Sequence, residues 1–268
     1  MTEPISEPSE GNWAERVVTA WLADVGEVFL LFGNVLRQIP AGLQRPGLLI
    51  DQMAHIGVGS MPLTVIVALF TGAVTAVQAS YQMRDYVPML YLGTVIGKSV
   101  VIELGPVLTA LIVGGRVGAA IAAELGTMRV TEQIDALEAM AINPVRYLVV
   151  PRVVASIVML PILVMIANAV AIFGGYVVSI TSIGVTTHTY VQGLQDFFYL
   201  KDLMSGIIKT IVFGAIIGWM GCYYGFRTEG GAEGVGIATT RAVVSSCVLV
   251  LVSDYVLANV LFRFVFAK

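Results

Sequence analysis

The chain has 268 residues, 57% hydrophobic and only 12% charged, with 15 basic against 18 acidic side chains and a net charge of −3. Soluble domains carry roughly 25% charged residues. That shortfall, with a mean hydropathy of +0.86, excludes a soluble domain, a disordered chain, a disulfide-rich secreted scaffold and a nucleic-acid binder, and describes an all-α integral membrane protein.

Residues 1–12 are polar and lack the basic-then-apolar order of a signal peptide, so a disordered tail is expected there. Over residues 13–38, Val17, Val18, Trp21, Leu22, Val25, Val28, Phe29 and Phe32 recur at spacings of three and four between Glu15, Arg16, Asp24 and Glu27. This periodicity predicts an amphipathic helix on the membrane surface, with packing against soluble protein as the other reading.

Beyond the break between Pro40 and Pro46, charge disappears repeatedly for the ~20 residues that cross a bilayer. Five spans are expected, over about residues 56–80, 87–113, 153–180, 203–226 and 242–262. Residues 13–268 thus form a single transmembrane domain, with a polar interval at 116–152 and a loop at 181–202. With the N-terminus in the cytoplasm, nine basic residues (Arg16, Arg37, Arg45, Arg116, Arg129, Arg146, Arg152, Arg227, Arg241) fall inside. Arg84, Lys201, Arg263 and Lys268 fall outside. The positive-inside rule then gives an N-in, C-out topology.

Glycines at close-packing spacing, Gly93/Gly97, Gly114/Gly118, Gly214/Gly218 and Gly221/Gly225, are read as intramolecular helix contacts rather than a dimer seam. Cys222 and Cys247 lie in apolar stretches and are read as small core residues. The stretch from Gly93 to Ser99 has three residues between its glycines where a phosphate-binding loop needs four, and it sits inside a span. Neither His55 and His188 nor any other group has metal or catalytic spacing, so no cofactor is expected on this chain.

Four ionisable residues lie within spans: Lys98, Glu103, Lys209 and Asp254. An ionised side chain at mid-bilayer costs roughly 2.5–3.5 kcal/mol on insertion scales, so each needs a partner or a polar cavity. Reckoned by helical rise from Tyr86, Lys98 lies about 18 Å deep and Glu103 about 26 Å; from Arg263, Asp254 lies about 14 Å deep. Lys98 therefore matches Asp254 in depth better than Glu103 does. Lys98 and Glu103 are about 140° apart on one helix, so each is expected to pair with another span. The charges either fix helix register or line a path for an amphipathic substrate.

In the polar interval, Thr131 is a candidate cap for a short helix whose first turn holds Glu132 and Asp135. Ile134, Leu137 and Met140 form an apolar stripe, and Asn143-Pro144 stops the helix. Such a helix suits docking into a groove on a soluble partner, or rests on lipid.

At this point the sequence resembles the MlaE/YrbE-type permeases, membrane subunits of ABC transporters that work with Mce-domain proteins on lipids. The matching stretches are Glu103-Leu104-Gly105-Pro106-Val107, Gly115-Arg116-Val117-Gly118, the run from Ala123 to Gln133, Met140 to Pro144, Pro151-Arg152, Ile208-Lys209 and Ala238 to Arg241. The resemblance extends from about Trp13 to the end of the chain. It implies a dimer of permeases in the bacterial inner membrane, each with an interfacial helix and five spans. ABC ATPase subunits that carry ATP and Mg would stand on the cytoplasmic side, and Mce-domain proteins on the periplasmic side.

Phospholipid is the implied cargo. Glu103, Lys209 and Asp254 fall on charged intramembrane positions of the family, and Tyr86 falls near its lipid-contacting region. The interval with Glu124, Arg129, Glu132, Asp135, Leu137, Glu138, Met140 and Asn143 would be the coupling helix between spans two and three. The chain departs from the pattern at Ile102, where family members often carry Arg; Lys98, a turn earlier, is expected to supply that cation. The alternative is an ATP-independent channel or secondary transporter for a hydrophobic or amphipathic solute.

Overall fold

The computed structural model describes residues 46–83, 86–197 and 199–264, together with Gly33, Arg37 and Gln38. The expected tail and almost all of the expected surface helix lie outside the described residues. Those described are helical, without strands, and five helical stretches are long and apolar enough to cross a membrane.

The first span is one helix, α1 (Pro46–Met83). The second is compound: a 3-10 turn (Met89–Tyr91), α2 (Leu92–Ser99), a π-turn (Val100–Leu104), α3 (Gly105–Val113), a second π-turn (Gly114–Gly118) and α4 (Ala119–Val130). After the short α5 (Gln133–Ala139) and a third π-turn (Val145–Val149) comes α6 (Val150–Thr181). Then follow α7 (Thr187–Phe197), α8 (Leu200–Phe226) and α9 (Gly231–Phe264).

Two of the π-turns have a cause in the sequence. Pro106 has no N–H to offer the carbonyl of Ile102, and Pro151 has none for that of Tyr147; each carbonyl that forgoes this α-helical bond lies in the π-turn just before. The remaining one, second in chain order, is the glycine-rich Gly114-Gly115-Arg116-Val117-Gly118.

Two expectations about boundaries are corrected. The second span runs on to Val130 and the third begins at Val145, so the interval outside the bundle is residues 131–144 rather than 116–152. Arg116, Glu124 and Arg152 lie within these helices because each finds a polar partner there: Arg116 donates to Ser60 at 2.9 Å, and Arg152 pairs with Glu124 at 2.8 Å. The expected loop at 181–202 contains α7. Tyr190 docks it by donating its hydroxyl to the Ile172 carbonyl at 3.1 Å, and burial pushes that phenol up to about 12.

Spans one and three run parallel and touch backbone to backbone. A Cβ added at Gly72 would lie 1.7 Å from the Ala171 carbonyl oxygen, so only glycine fits. The four glycine pairs read from sequence likewise face this chain's own helices: Gly93 lies on the Tyr190 backbone, Gly114 on Ile217, Gly214 on Ser156 and Gly221 on Ile121. Two buried clusters result. One holds Leu125, Ile134, Leu148, Phe213, Ile217 and Cys222, toward the Pro46 end of the bundle. The other holds Ala76, Leu92, Ile96, Val100, Ala171 and Tyr190, toward the Met83 end.

Candidate functional site

Lys209 of α8 is completely buried. Its ammonium lies 2.6 Å from the Glu103 carboxylate, in the first π-turn, and 2.9 Å from that of Asp254 on α9. Spans two, four and five therefore meet at one cation held between two carboxylates. Asp254 is 13% exposed as a side chain and Glu103 is 44% exposed, so Glu103 is the member that reaches out of the bundle.

The depth of this cluster follows from packing. Gly105, two residues past Glu103, lies against Asn168 of α6, and the crevice beside it is lined by Thr64, Ala68, Leu104, Gly105, Thr109 and Ala167. Ala68 is the midpoint of the charge-free stretch 56–80. The triad therefore sits near the middle of the spans, where an unpaired charge is most costly.

The structure brings together three of the four intramembrane charges and separates the fourth. Lys98 lies 3.6 Å from Asp202 and 5.0 Å from the centre of the Tyr199 ring, at the start of α8. Asp202 also accepts the Tyr199 backbone N–H at 3.3 Å, capping that helix. The depth match of Lys98 with Asp254 is thus corrected. Residues 86–91 form a turn and a 3-10 segment rather than α-helix, so helical rise counted from Tyr86 places the whole span too deep. Tyr86 itself is 88% exposed at the Met83 end, and Ile102 is half-buried.

At the opposite end, residues 131–144 form a short connector. Arg129 pairs with Asp135, and the buried Arg152 donates to the Leu148 carbonyl at 2.7 Å while pairing with Glu124, tying span two to span three across the connector. Thr131 does not cap α5, because its hydroxyl bonds back to the Thr127 carbonyl at 2.7 Å; Glu132 takes the cap position with a positive φ of 59°. The C-terminus closes as a Schellman motif: Ile142 N–H to the Leu137 carbonyl at 3.0 Å and Ala141 N–H to that of Glu138 at 2.9 Å, with Ala141 at φ 58°. Asn143 then caps the next helix through the Val145 N–H at 3.0 Å.

The expected apolar stripe is divided. Ile134 is buried and Leu137 packs on the bundle core, whereas Met140 is exposed. The solvent face of the connector therefore presents Glu132, Asp135, Glu138 and Met140.

Sequence reasoning missed the roles of Arg116 and Arg152 by assigning both to the polar interval. The signal was present: each is a single arginine flanked by apolar or small residues on both sides. Among the described residues no group of His, Cys, Asp and Glu could hold a metal ion.

Comparison with known proteins agrees with this geometry. The family model Permease MlaE matches residues 49–260. A probable ABC transporter permease protein of Rickettsia typhi is 43% identical over 81% of this chain and 83% of its own length. One from Synechocystis is 39% identical over 98% of this chain and 97% of its own. The intermembrane phospholipid transport system permease protein MlaE of Haemophilus influenzae is 34% identical over 87% of this chain and 90% of its own.

Proposed function

The chain belongs to the MlaE permease family of ABC transporters, and from that premise we propose that it moves phospholipid between the inner membrane and the outer envelope. It works as a dimer, with ATP and Mg bound on separate ATPase subunits and an Mce-domain protein on the periplasmic side. The Pro46 end of the bundle faces the cytoplasm and the Met83 end the periplasm.

The observation that carries this reading is the buried Lys209 between Glu103 and Asp254, with Glu103 reaching outward. A charged station near mid-bilayer gives a lipid headgroup a polar place to pause, while its acyl chains rest on the apolar surfaces of spans one, two and five. Lys98 lies about a turn nearer the periplasm and offers the headgroup a cation before it reaches the triad.

The connector supports the energy coupling. The ATPase grips its acidic outer face of Glu132, Asp135 and Glu138 together with exposed Met140. Arg129, Glu124, Leu137 and Asn143 keep the connector rigid, so that closure of the ATPases displaces spans two and three together.

Co-expression with the neighbouring genes, mild detergent extraction and mass spectrometry of what co-purifies test the reading. An ATPase, an Mce-domain chain and bound phospholipid are expected. This chain recovered alone and moving solute in liposomes without ATP would favour a channel or secondary transporter instead.

A further inference from the structure

Arg116 stands in the second π-turn as an exposed guanidinium within a membrane span. Its only recorded polar contact among the described residues is the 2.9 Å bond to the hydroxyl of Ser60, a residue with no exposed surface. Three other cations of the bundle have carboxylate partners: Lys209 with Glu103 and Asp254, Lys98 with Asp202, and Arg152 with Glu124. Among the described residues Arg116 has a neutral oxygen to orient it and no carboxylate within ion-pair distance.

The surroundings leave room for an anion. A Cβ added at Gly59 would stand 2.6 Å from a guanidinium nitrogen, so the missing side chain at 59 is what lets Arg116 lie across α1. Arg116 is itself an exposed residue, and a Cβ added at the adjacent Gly115 would meet nothing within 4 Å among the described residues. The depth is also defined. Ser60 lies eight residues from Ala68, the midpoint of the charge-free stretch, or about 12 Å by helical rise. The hydrocarbon half-thickness is about 15 Å, so the side chain reaches the level of the ester and phosphate groups of the leaflet at the Pro46 end.

We propose that Arg116, oriented by Ser60 and accommodated by Gly59, binds the phosphate group of a phospholipid in the leaflet at the Pro46 end of the bundle. A guanidinium presents two parallel N–H donors that match two phosphate oxygens. The lipid is thereby held against spans one and two on the side of the triad that faces this leaflet. The site is a separate station from the triad, nearer the cytoplasm by the thickness of about half a leaflet or more. Only the naming of that lipid as the transported cargo rests on the function proposed above.

The test is lipid retention without nucleotide, so it can fail while transport stands, or hold while transport fails. The complete complex is placed in nanodiscs of phosphatidylcholine with trace amounts of either phosphatidylglycerol or diacylglycerol, each carrying a photoreactive acyl chain. Cross-linked peptides around residues 59–60 and 115–116 are then quantified. The native chain should capture phosphatidylglycerol well above diacylglycerol. R116A should lower that capture about tenfold, the loss of one charge-assisted contact, and R116K should restore part of it.

G59A, which leaves the charge in place and displaces it, should also lower capture, which guards against R116A merely misfolding. Millimolar inorganic phosphate should not compete; full competition would mean a free-phosphate site and overturn the proposal. Equal capture by R116A, equal capture of diacylglycerol, or dissociation of the dimer in R116A with capture unchanged per chain would overturn it too. The last would assign Arg116 to a carboxylate of a second copy.

Discussion

Replacing Lys209 by methionine should destabilise the bundle more than any other single change at the triad. The substitution keeps the length of the side chain and removes the charge, leaving Glu103 and Asp254 facing one another without a cation. Removing one partner of a buried ion pair costs about 3–5 kcal/mol. Lys209 has no exposed surface, while Glu103 is 44% exposed and can be solvated in part, so the lower end, about 3 kcal/mol, is the figure to expect. Asp254→Asn should cost less, because Lys209 keeps Glu103 at 2.6 Å.

The informative variant is the neutral trio Glu103→Gln, Lys209→Met and Asp254→Asn. With no charge left to bury it should regain most of the lost stability, since replacing a whole buried network by neutral groups is near neutral or favourable. Unfolding in detergent, followed by tryptophan fluorescence against denaturant, reads all three. Lys209→Met within about 0.5 kcal/mol of the native chain, the usual scatter of a surface substitution, would refute the reasoning. So would a neutral trio less stable than Lys209→Met.

Other outcomes follow from the packing. Ala141→Gly should stabilise the chain by up to about 1 kcal/mol, because the Schellman position at φ 58° suits glycine, and thermal unfolding checks it. Gly72→Ala should lower stability by about 1–3 kcal/mol, since its Cβ meets the Ala171 carbonyl oxygen, and the yield of monodisperse protein reports it. Arg152→Ala should leave the five spans folded but cut ATP-dependent lipid movement more than ATPase activity, because it unties span two from span three. Stability should fall between about pH 10 and pH 12: the buried Tyr190 phenol keeps its proton to about 12, while in the unfolded chain it loses it near 10. Tyr190→Phe should show a shallower loss across that range in the same unfolding experiment.

The five spans were legible because a bilayer demands about 20 residues with little charge, a constraint that leaves a plain mark on the sequence. The members of the triad were legible for the same reason, as charges where charge is costly. Their pairing was not. Depth counted by helical rise assumes unbroken α-helix, and the segment after Tyr86 begins with a turn and a 3-10 stretch before α2. Arg116 and Arg152 misled in the opposite sense: a sequence shows their charge but not the serine and the carboxylate that let them stay inside a helix. The helix α7 was hidden because its stability comes from Tyr190 and from close backbone contact at Gly93, not from a long apolar period. In the connector the stripe of Ile134, Leu137 and Met140 was read as one docking face, whereas packing buries the first and exposes the last.

Movement of labelled phospholipid between donor and acceptor vesicles tests the central claim most directly. The chain is reconstituted with the ATPase and the Mce-domain protein proposed above as its partners, and transfer is followed with and without ATP. The account predicts that transfer needs ATP and the ATPase, and that the stable neutral trio at residues 103, 209 and 254 binds the ATPase yet moves little lipid. Lipid transfer at the native rate by that neutral trio, or by the native chain without ATP, would contradict it.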